Sequence, residues 1–160
     1  MHNVYLFQVN YQAGLGKYTS QWLPYSIATI WSYAEQNPVV KNNFTVPEIV
    51  FKREPVEDVV NRLDNPKLCL FSNYIWNENY NQLVASAVKQ RYPECKIIFG
   101  GPQVNEDGVT FLENNPFVDA VVINEGEVST ENLLLDYYNK GNIDKIYNKP
   151  PRVKLDGKPS

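Results

Sequence analysis

The chain has 160 residues, with 15 Lys and Arg against 18 Asp and Glu, which gives a net charge of −3. This length favours one domain that can bury a core without a disulfide or a metal. The charge balance and the absence of a basic block argue against nucleic-acid binding, which depends on neutralising phosphates. One His and two separated Cys argue against a His/Cys zinc site, and an iron–sulfur cluster would need more thiolates.

The sequence gives no sign of export or of membrane insertion. The first residues, MHNVYLFQVN, lack a charged leader followed by a long apolar run, and no stretch reaches the roughly 20 apolar residues that span a bilayer. Cys69 and Cys95 lie in apolar stretches and form no CxxC pair, which indicates buried thiols in a reducing compartment. We therefore expect a soluble, cytoplasmic protein.

Short apolar runs alternate with amphipathic segments, which predicts five strands and five helices. The first strand covers 4–9, and a polar loop with two glycines follows over 10–20. Helical spacing predicts the first helix over about 23–35, which Pro24 can begin and Asn37-Pro38 closes. The later predicted strands and helices, in alternation, are 47–52, 55–63, 68–71, 79–91, 96–99, 107–113, 120–123 and 129–140.

The last predicted helix carries signals at both ends. Ser129 or Thr130 can cap its start, and Gly141 lies just past its end. The residues from 142 onward are polar and rich in Pro, which predicts a tail or linker over 142–160. The folded domain is therefore expected to cover 1–141.

The alternation of short apolar strands with amphipathic helices indicates an α/β fold with a parallel sheet covered on both faces. Five such units favour a flavodoxin-like, doubly wound sheet with the strand order 2-1-3-4-5. In this architecture a ligand binds at the carboxyl ends of the strands, near the switch point between strands one and three.

Four segments meet at that edge and supply the candidate binding residues. They are Asn10 after strand one; Ser72, Asn73, Tyr74 and Trp76 after strand three; Gly100, Gly101, Pro102 and Gln103 after strand four; and Glu125, Gly126 and Glu127 after strand five.

Each of these groups also has a structural interpretation. Gly100-Gly101 either lets a ligand approach the backbone or makes a tight turn, and the sequence supports the two interpretations equally. Ser72-Asn73 offers hydrogen bonds to a ligand or forms a turn, while Tyr74 and Trp76 pack on a flat ring or in the core. The Glu125-Gly126-Glu127 segment suits an acid/base pair, but a turn that caps the last helix is favoured.

Other catalytic and nucleotide-binding motifs are incomplete. Gly14, Gly16 and Lys17 follow strand one, but they match neither the phosphate-binding GxxxxGK[ST] pattern nor GxGxxG. The single His is His2 at the N-terminus, and no GxSxG elbow is present, so the sequence predicts no catalytic triad.

Three segments together resemble the N-terminal cobalamin-binding domain of B12-dependent radical SAM proteins. They are FSNYIWN (71–77), KIIFGGP (96–102) and FVDAVVINEGE (117–127), and WLPYS (22–26) resembles that family's entry to its first helix. The resemblance implies a flavodoxin-like fold that holds a corrin over the strand ends. It also implies that the nucleotide tail of cobalamin inserts past Ser72 and Gly100-Gly101.

The chain departs from related patterns at three points. The loop after strand one contains no His, so a bound cobalamin is expected without a His ligand from this domain. The CxxxCxxC motif of radical SAM proteins is absent, so no iron–sulfur cluster is expected in this chain. Asn124 stands where the family usually has Gly.

The resemblance thus implies a domain that is not catalytic alone. The segment 150–159 resembles the linker to the radical SAM domain, so we expect that domain in the same chain or in a separate partner, with a corrinoid as ligand. Two alternatives stay open: a fold that has lost the ligand and docks a partner protein, and a flavin- or nucleotide-binding protein.

Overall fold

A computed structural model describes residues 1–10, 23–104 and 107–149. The strands of the described residues are β1 (His2–Phe7), β2 (Phe44–Thr45), β3 (Ile49–Val50), β4 (Pro66–Ser72), β5 (Lys96–Gly100), β6 (Ala120–Asn124) and β7 (Ile146–Lys149). The helices are α1 (Tyr25–Ala34), α2 (Pro38–Asn43), α3 (Val56–Arg62), α4 (Glu78–Arg91), α5 (Val109–Asn114) and α6 (Gly126–Lys140).

The sheet is parallel and has the order β2-β1-β4-β5-β6-β7, with β3 also paired to β1. If β2 and β3 are taken together as the second strand, the order is the predicted 2-1-3-4-5 with one strand added at the far edge. The α/β, doubly wound fold class is therefore confirmed.

The sequence predicted one second strand over 47–52, but the structure has two short pieces: β3 lies within that run and β2 lies before it. β2 pairs with the start of β1 at His2, and β3 pairs with its end at Leu6 and Phe7. Pro47 lies between the two pieces and has no N–H to donate to the ladder, which accounts for the interruption.

A second helix follows the predicted end of the first. The Asn37-Pro38 break does end α1, but the same residues also begin α2. The Asn37 Oδ1 accepts the Val39 N–H at 2.9 Å, and Pro38 takes the first helical position, where its missing N–H costs nothing.

The tail predicted from residue 142 is corrected over 146–149, which form β7. Val121 pairs with Ile146 and Val122 with Tyr147 in the register of β6 and β7. Tyr147 is buried in the core. Two apolar residues among charged ones are too short a pattern to identify a strand, and it is the parallel pairing with β6 that orders them.

The last helix begins earlier than predicted. α6 starts at Gly126, with Glu125 at the N-cap position, so Ser129 and Thr130 lie inside the helix and do not cap it. Both are buried, because they face the sheet. Gly141 closes α6 in a left-handed conformation with φ of 67°, as the sequence predicted.

Alternate residues of the strands point to opposite faces of the sheet and form two hydrophobic cores, one on each face. One face carries Phe7, Phe71 and Phe99, whose rings stack at centroid distances of 4.3 and 4.9 Å. The opposite face packs aliphatic side chains against α1 and α6. Cys69 and Cys95 are free and buried, as predicted.

None of the helices within the described ranges is long and apolar enough to cross a bilayer.

Candidate functional site

A cleft of about 120 Å³ opens at the carboxyl ends of β4, β5 and β6, between α1 and α6. Its base consists of aliphatic side chains, including those of Leu70, Ile98 and Val122. The hydroxyl-bearing residues Ser72 and Thr130 also line it, although they are only 5% and 3% exposed. We call this space the cleft.

Charge is absent from the described lining of the cleft. The residues that surround the aliphatic base are Ser26, Tyr74, Asn124 and Thr130, which are neutral and polar, together with glycines. An apolar base with a few hydroxyl and amide groups fits a neutral, planar heterocycle better than a charged ligand. The cleft therefore offers a ligand apolar contacts and neutral hydrogen-bonding groups.

Gly100 is the last residue of β5 and Gly101 follows it, and the two glycines have different structural roles. Gly101 has φ of +102°, and a Cβ there would lie 2.6 Å from the Asn73 carbonyl oxygen and 2.8 Å from its nitrogen. Gly100 has ordinary strand geometry, and its Cβ would lie 3.4 Å from the Val122 carbonyl oxygen, in normal contact. Gly101 thus serves the turn, whereas the missing side chain of Gly100 leaves space in the cleft.

Ser72 and Asn73 lie on opposite sides of the chain. Ser72 lines the cleft, but the fully buried Asn73 does not. The Asn73 N–H donates to the Gly100 carbonyl at 2.7 Å, and its own carbonyl accepts the Gln103 N–H at 3.2 Å. Asn73 therefore fixes the loop after β5 through its backbone, which is the turn interpretation of this residue.

Tyr74 and Trp76 form an aromatic pair beside the cleft. Their rings are parallel within 7° and their centroids are 4.6 Å apart. The Tyr74 hydroxyl lies 3.0 Å from the Ser26 hydroxyl and lines the cleft, whereas Trp76 does not line it and is 44% exposed. The carbonyl of Trp76 accepts a hydrogen bond of 2.7 Å from Arg53. The pair is thus a surface feature and not part of the core.

Three other candidates lie at the sheet edge but outside the cleft lining. Asn10 donates its N–H to the Phe51 carbonyl at 3.0 Å, and its buried Nδ2 has no hydrogen-bond partner among the described residues. Pro102 is exposed in the turn after β5, and Gln103 contributes its backbone N–H to that turn. For these residues the structure shows roles in the loops.

The Glu125-Gly126-Glu127 segment forms the start of α6. Gly126 lines the cleft, and a Cβ there would lie 2.6 Å from the Ile30 Cδ1, so glycine lets α1 and α6 approach closely. Glu125 takes the N-cap position and Glu127 the first turn, where a negative charge favours the helix dipole. This geometry supports the helix-start interpretation over an acid/base pair.

Asn124 precedes this segment and has φ of 64°. Its Nδ2 donates to the Asn148 Oδ1 at 2.7 Å, which links β6 to the new edge strand β7. Asn is the non-glycine residue that best tolerates this left-handed conformation. The departure from Gly that the sequence shows is therefore compatible with the same backbone.

Sequence reasoning missed three buried polar residues that shape the site. The Gln8 Oε1 accepts the Ile27 N–H at 2.9 Å and so caps α1 from the end of the first strand. Asn77 and Asn81 lie fully buried beneath the loop after β4. A polar residue at the end of an apolar run, and an Asn pair at i, i+4 spacing, were the available signals.

Several predictions fall on residues outside the described ranges. They concern the glycine loop with Gly14, Gly16 and Lys17, the entry residue Trp22 and the linker-like segment 150–159.

The known proteins that are similar to this chain include two methyltransferases, while no family model matches it. One is TokK of Streptomyces tokunonensis, a cobalamin-dependent radical SAM methyltransferase, 34% identical over 124 residues. The other is the 2-(S-pantetheinyl)-carbapenam-3-carboxylate methyltransferase of Streptantibioticus cattleyicolor, 32% identical over 115 residues.

The matches cover 78% and 72% of this chain, but only 18% and 17% of the two relatives. The chain thus spans less than a fifth of the length of the relatives it matches. The resemblance that the sequence indicated is confirmed: over most of its length, this chain is homologous to a stretch of a cobalamin-dependent radical SAM methyltransferase.

Proposed function

We propose that this chain is a cobalamin-binding module of the radical SAM type. The observation that carries the proposal is the uncharged cleft at the carboxyl edge, where Gly100 leaves space and hydroxyl groups border an aliphatic base. In doubly wound folds this edge is the usual ligand site. Homology to a cobalamin-dependent enzyme names the ligand class.

In this proposal the nucleotide tail of the corrinoid occupies the cleft. Leu70, Ile98 and Val122 would contact the faces of its heterocycle, and Ser72 and Thr130 would offer hydrogen bonds to its polar atoms. The corrin ring would lie outside, over the strand ends, near Tyr74. When bound, cobalamin supplies a cobalt centre that can carry a methyl group, and these residues only bind and orient it.

We further propose that no His of this chain coordinates the cobalt. The single His of the sequence, His2, begins β1 at the opposite edge of the sheet from the cleft. It packs between the rings of Phe44 and Tyr137, with centroids 5.3 and 5.4 Å away. Replacing His2 with Ala should therefore leave the visible spectrum of a bound corrinoid unchanged.

The chemistry of methyl transfer would come from a radical SAM domain, in the same polypeptide or in a partner. The homologous stretch is under a fifth of each relative, so most of such an enzyme lies outside it. The corrin-facing edge of this chain would then meet that domain.

The proposal is tested by equilibrium binding of two corrinoids that differ only in the tail region. Hydroxocobalamin carries the nucleotide, and cobinamide lacks it. We expect hydroxocobalamin to co-elute with the protein at a 1:1 ratio and cobinamide to bind at least about tenfold more weakly, since it would leave the cleft unfilled.

Other outcomes would count against this function. Failure to bind either corrinoid would overturn the proposal, and equal binding of both would remove the assignment of the cleft to the tail. A thermal shift with FMN or ATP alone would favour the flavin or nucleotide alternative.

A further inference from the structure

A cluster of three buried asparagines lies directly beneath the loop that borders the cleft. Asn73, Asn77 and Asn81 are all fully buried, and none of them lines the cleft. They occupy the opposite side of the loop, between β4 and the first turns of α4. We call them the asparagine cluster.

Asn77 uses the whole hydrogen-bonding capacity of its side chain. Its Nδ2 donates to the carbonyls of Val9 and Ser72, both at 3.0 Å. Its Oδ1 accepts the Tyr74 N–H at 2.8 Å and the Asn81 Nδ2 at 3.1 Å. One side chain thus ties together the end of the first strand, the end of β4, the cleft loop and α4.

The side chains of the other two asparagines, Asn73 and Asn81, leave polar atoms without hydrogen-bond partners among the described residues. Asn81 Nδ2 also donates to the Asn73 Oδ1 at 3.1 Å, but the Asn81 Oδ1 and the Asn73 Nδ2 are buried with no partner within the described part of the chain. Buried polar atoms without partners destabilise a fold, so the unpaired Asn81 Oδ1 and Asn73 Nδ2 carry a cost in stability. The cluster is therefore better explained by what it positions than by stability.

The element it positions is the aromatic side of the cleft. The Tyr74 N–H bonded to Asn77 belongs to the residue whose hydroxyl meets Ser26 on α1 and whose ring stacks on Trp76. Ser72, whose carbonyl accepts from Asn77, lines the cleft as well. The backbone of both cleft residues is thus fixed by a side chain that does not line the cleft.

We propose that Asn77 is a positioning residue, which sets corrinoid affinity by holding Tyr74 and Ser72 in place without contacting the ligand. The inference rests on the proposed function for the identity of the ligand. The tie between Asn77 and the loop does not depend on it.

The first measurement is corrinoid affinity. Asn77→Asp keeps an oxygen that can accept from the Tyr74 N–H and the Asn81 Nδ2, but it loses both donated bonds and places a carboxylate against the carbonyls of Val9 and Ser72. Asn77→Ser is milder, since a hydroxyl can still bond the Tyr74 N–H. We expect hydroxocobalamin to bind at least about tenfold more weakly to Asn77→Asp, and less weakly to Asn77→Ser.

Asn115 provides a matched control for the loss of a buried Asn. It is buried, and its Nδ2 donates to the Phe111 carbonyl at 2.8 Å, away from the cleft. Asn115→Asp should lower the melting temperature but leave corrinoid affinity within twofold, measured where circular dichroism shows every variant folded. A merely structural role for Asn77 would give affinity unchanged in its folded variants, which would overturn the inference.

The second measurement needs no ligand. Amide hydrogen exchange of Tyr74, whose N–H donates to the Asn77 Oδ1, should be slow in the wild type and at least about tenfold faster in Asn77→Ala, which has no acceptor for it, with α6 unchanged. Unchanged exchange would also overturn the inference. If exchange rises but the wild type binds no corrinoid, the proposed function fails while the positioning of the loop by Asn77 is supported.

Discussion

Two residues at the cleft edge have backbone conformations that most side chains disfavour. Gly101 combines φ of +102° with close packing on Asn73, and Asn124 has φ of 64°. Both conformations turn the chain sharply where a strand ends, which brings the loops over the cleft. Substitutions at these positions therefore test whether the turns carry the geometry of the site.

Gly101→Ala should be markedly destabilising, because its Cβ would lie 2.6 Å from a backbone oxygen that cannot move aside cheaply. We expect this substitution to lower the free energy of unfolding by about 1–3 kcal/mol more than the same substitution at a glycine that has a positive φ but no close contact. Gly141→Ala is that control, since it has φ of +67° with nothing within 4 Å. Equal costs in urea unfolding would show that the contact with Asn73 is not tight.

Asn124 should tolerate Gly better than Ala. The left-handed φ of 64° costs Ala about 1–2 kcal/mol, while Gly adopts it freely. Both variants lose the same hydrogen bond to Asn148, so the difference between them isolates the backbone conformation. Thermal unfolding that ranks Ala above Gly would contradict the conformation described for Asn124.

At the residue scale, the sequence identified several residues that line the cleft but not the buried residues that hold them in place. Ser72, Tyr74, Gly100, Gly101 and Gly126 line the cleft, because parallel strands bring their carboxyl ends to one edge. Sequence could not reveal that Asn73 faces away, since the alternation of a strand gives two faces but not which one holds a ligand. Nor could it identify the side-chain bonds of Gln8 and Asn77, which join residues distant in the chain.

The elements were predicted where apolar periodicity is strong and missed where it is short. The central strands β4, β5 and β6 are buried on both faces and read as continuous apolar runs. The two-residue strand β2 and the edge strand β7 have too few apolar residues to stand out, whereas β3 lies within the predicted run 47–52. These short strands form because they pair with longer neighbouring strands, and no local sequence pattern encodes that pairing.

Tyr147 tests how β7 is attached to α6. Its hydroxyl donates to the Asp136 Oδ2 at 2.7 Å and accepts the Asp144 N–H at 2.9 Å. Tyr147→Phe removes both bonds and should cost about 1 kcal/mol of unfolding free energy at pH 7. Tyr138→Phe, at an exposed position on α6, is the control and should cost almost nothing.

The effect of Tyr147→Phe on the free energy of unfolding should also depend on pH. Burial raises the pKa of Tyr147 above its usual range, so the folded state holds this proton more tightly than the unfolded state. Its contribution to stability is complete below the ordinary tyrosine pKa of about 10 and is lost as the pH rises above it. The stability difference between wild type and Tyr147→Phe should therefore shrink at alkaline pH, and a constant difference in urea titrations would contradict this linkage.

At the scale of the whole molecule, the fold forms a cleft at the edge of the sheet where the proposed ligand would bind. The doubly wound sheet brings the ends of β4, β5 and β6 together under α1 and α6, and the cleft there carries no charge in its described lining. The scarcity of His and Cys, which first argued against zinc and iron–sulfur sites, is compatible with the proposal that this chain binds a corrinoid and that another domain supplies the radical chemistry.

Equilibrium binding of hydroxocobalamin to wild type and Gly100→Val tests this account most directly. A valine at Gly100 has ordinary strand φ and room for its Cβ, so the protein should fold while the branched side chain fills part of the cleft. Thr110→Val, at an exposed position on α5, is the control for added apolar bulk. The account predicts 1:1 binding by wild type and Thr110→Val, and at least about tenfold weaker binding by Gly100→Val. Absence of binding by the wild type, or equal affinity in Gly100→Val, would contradict it.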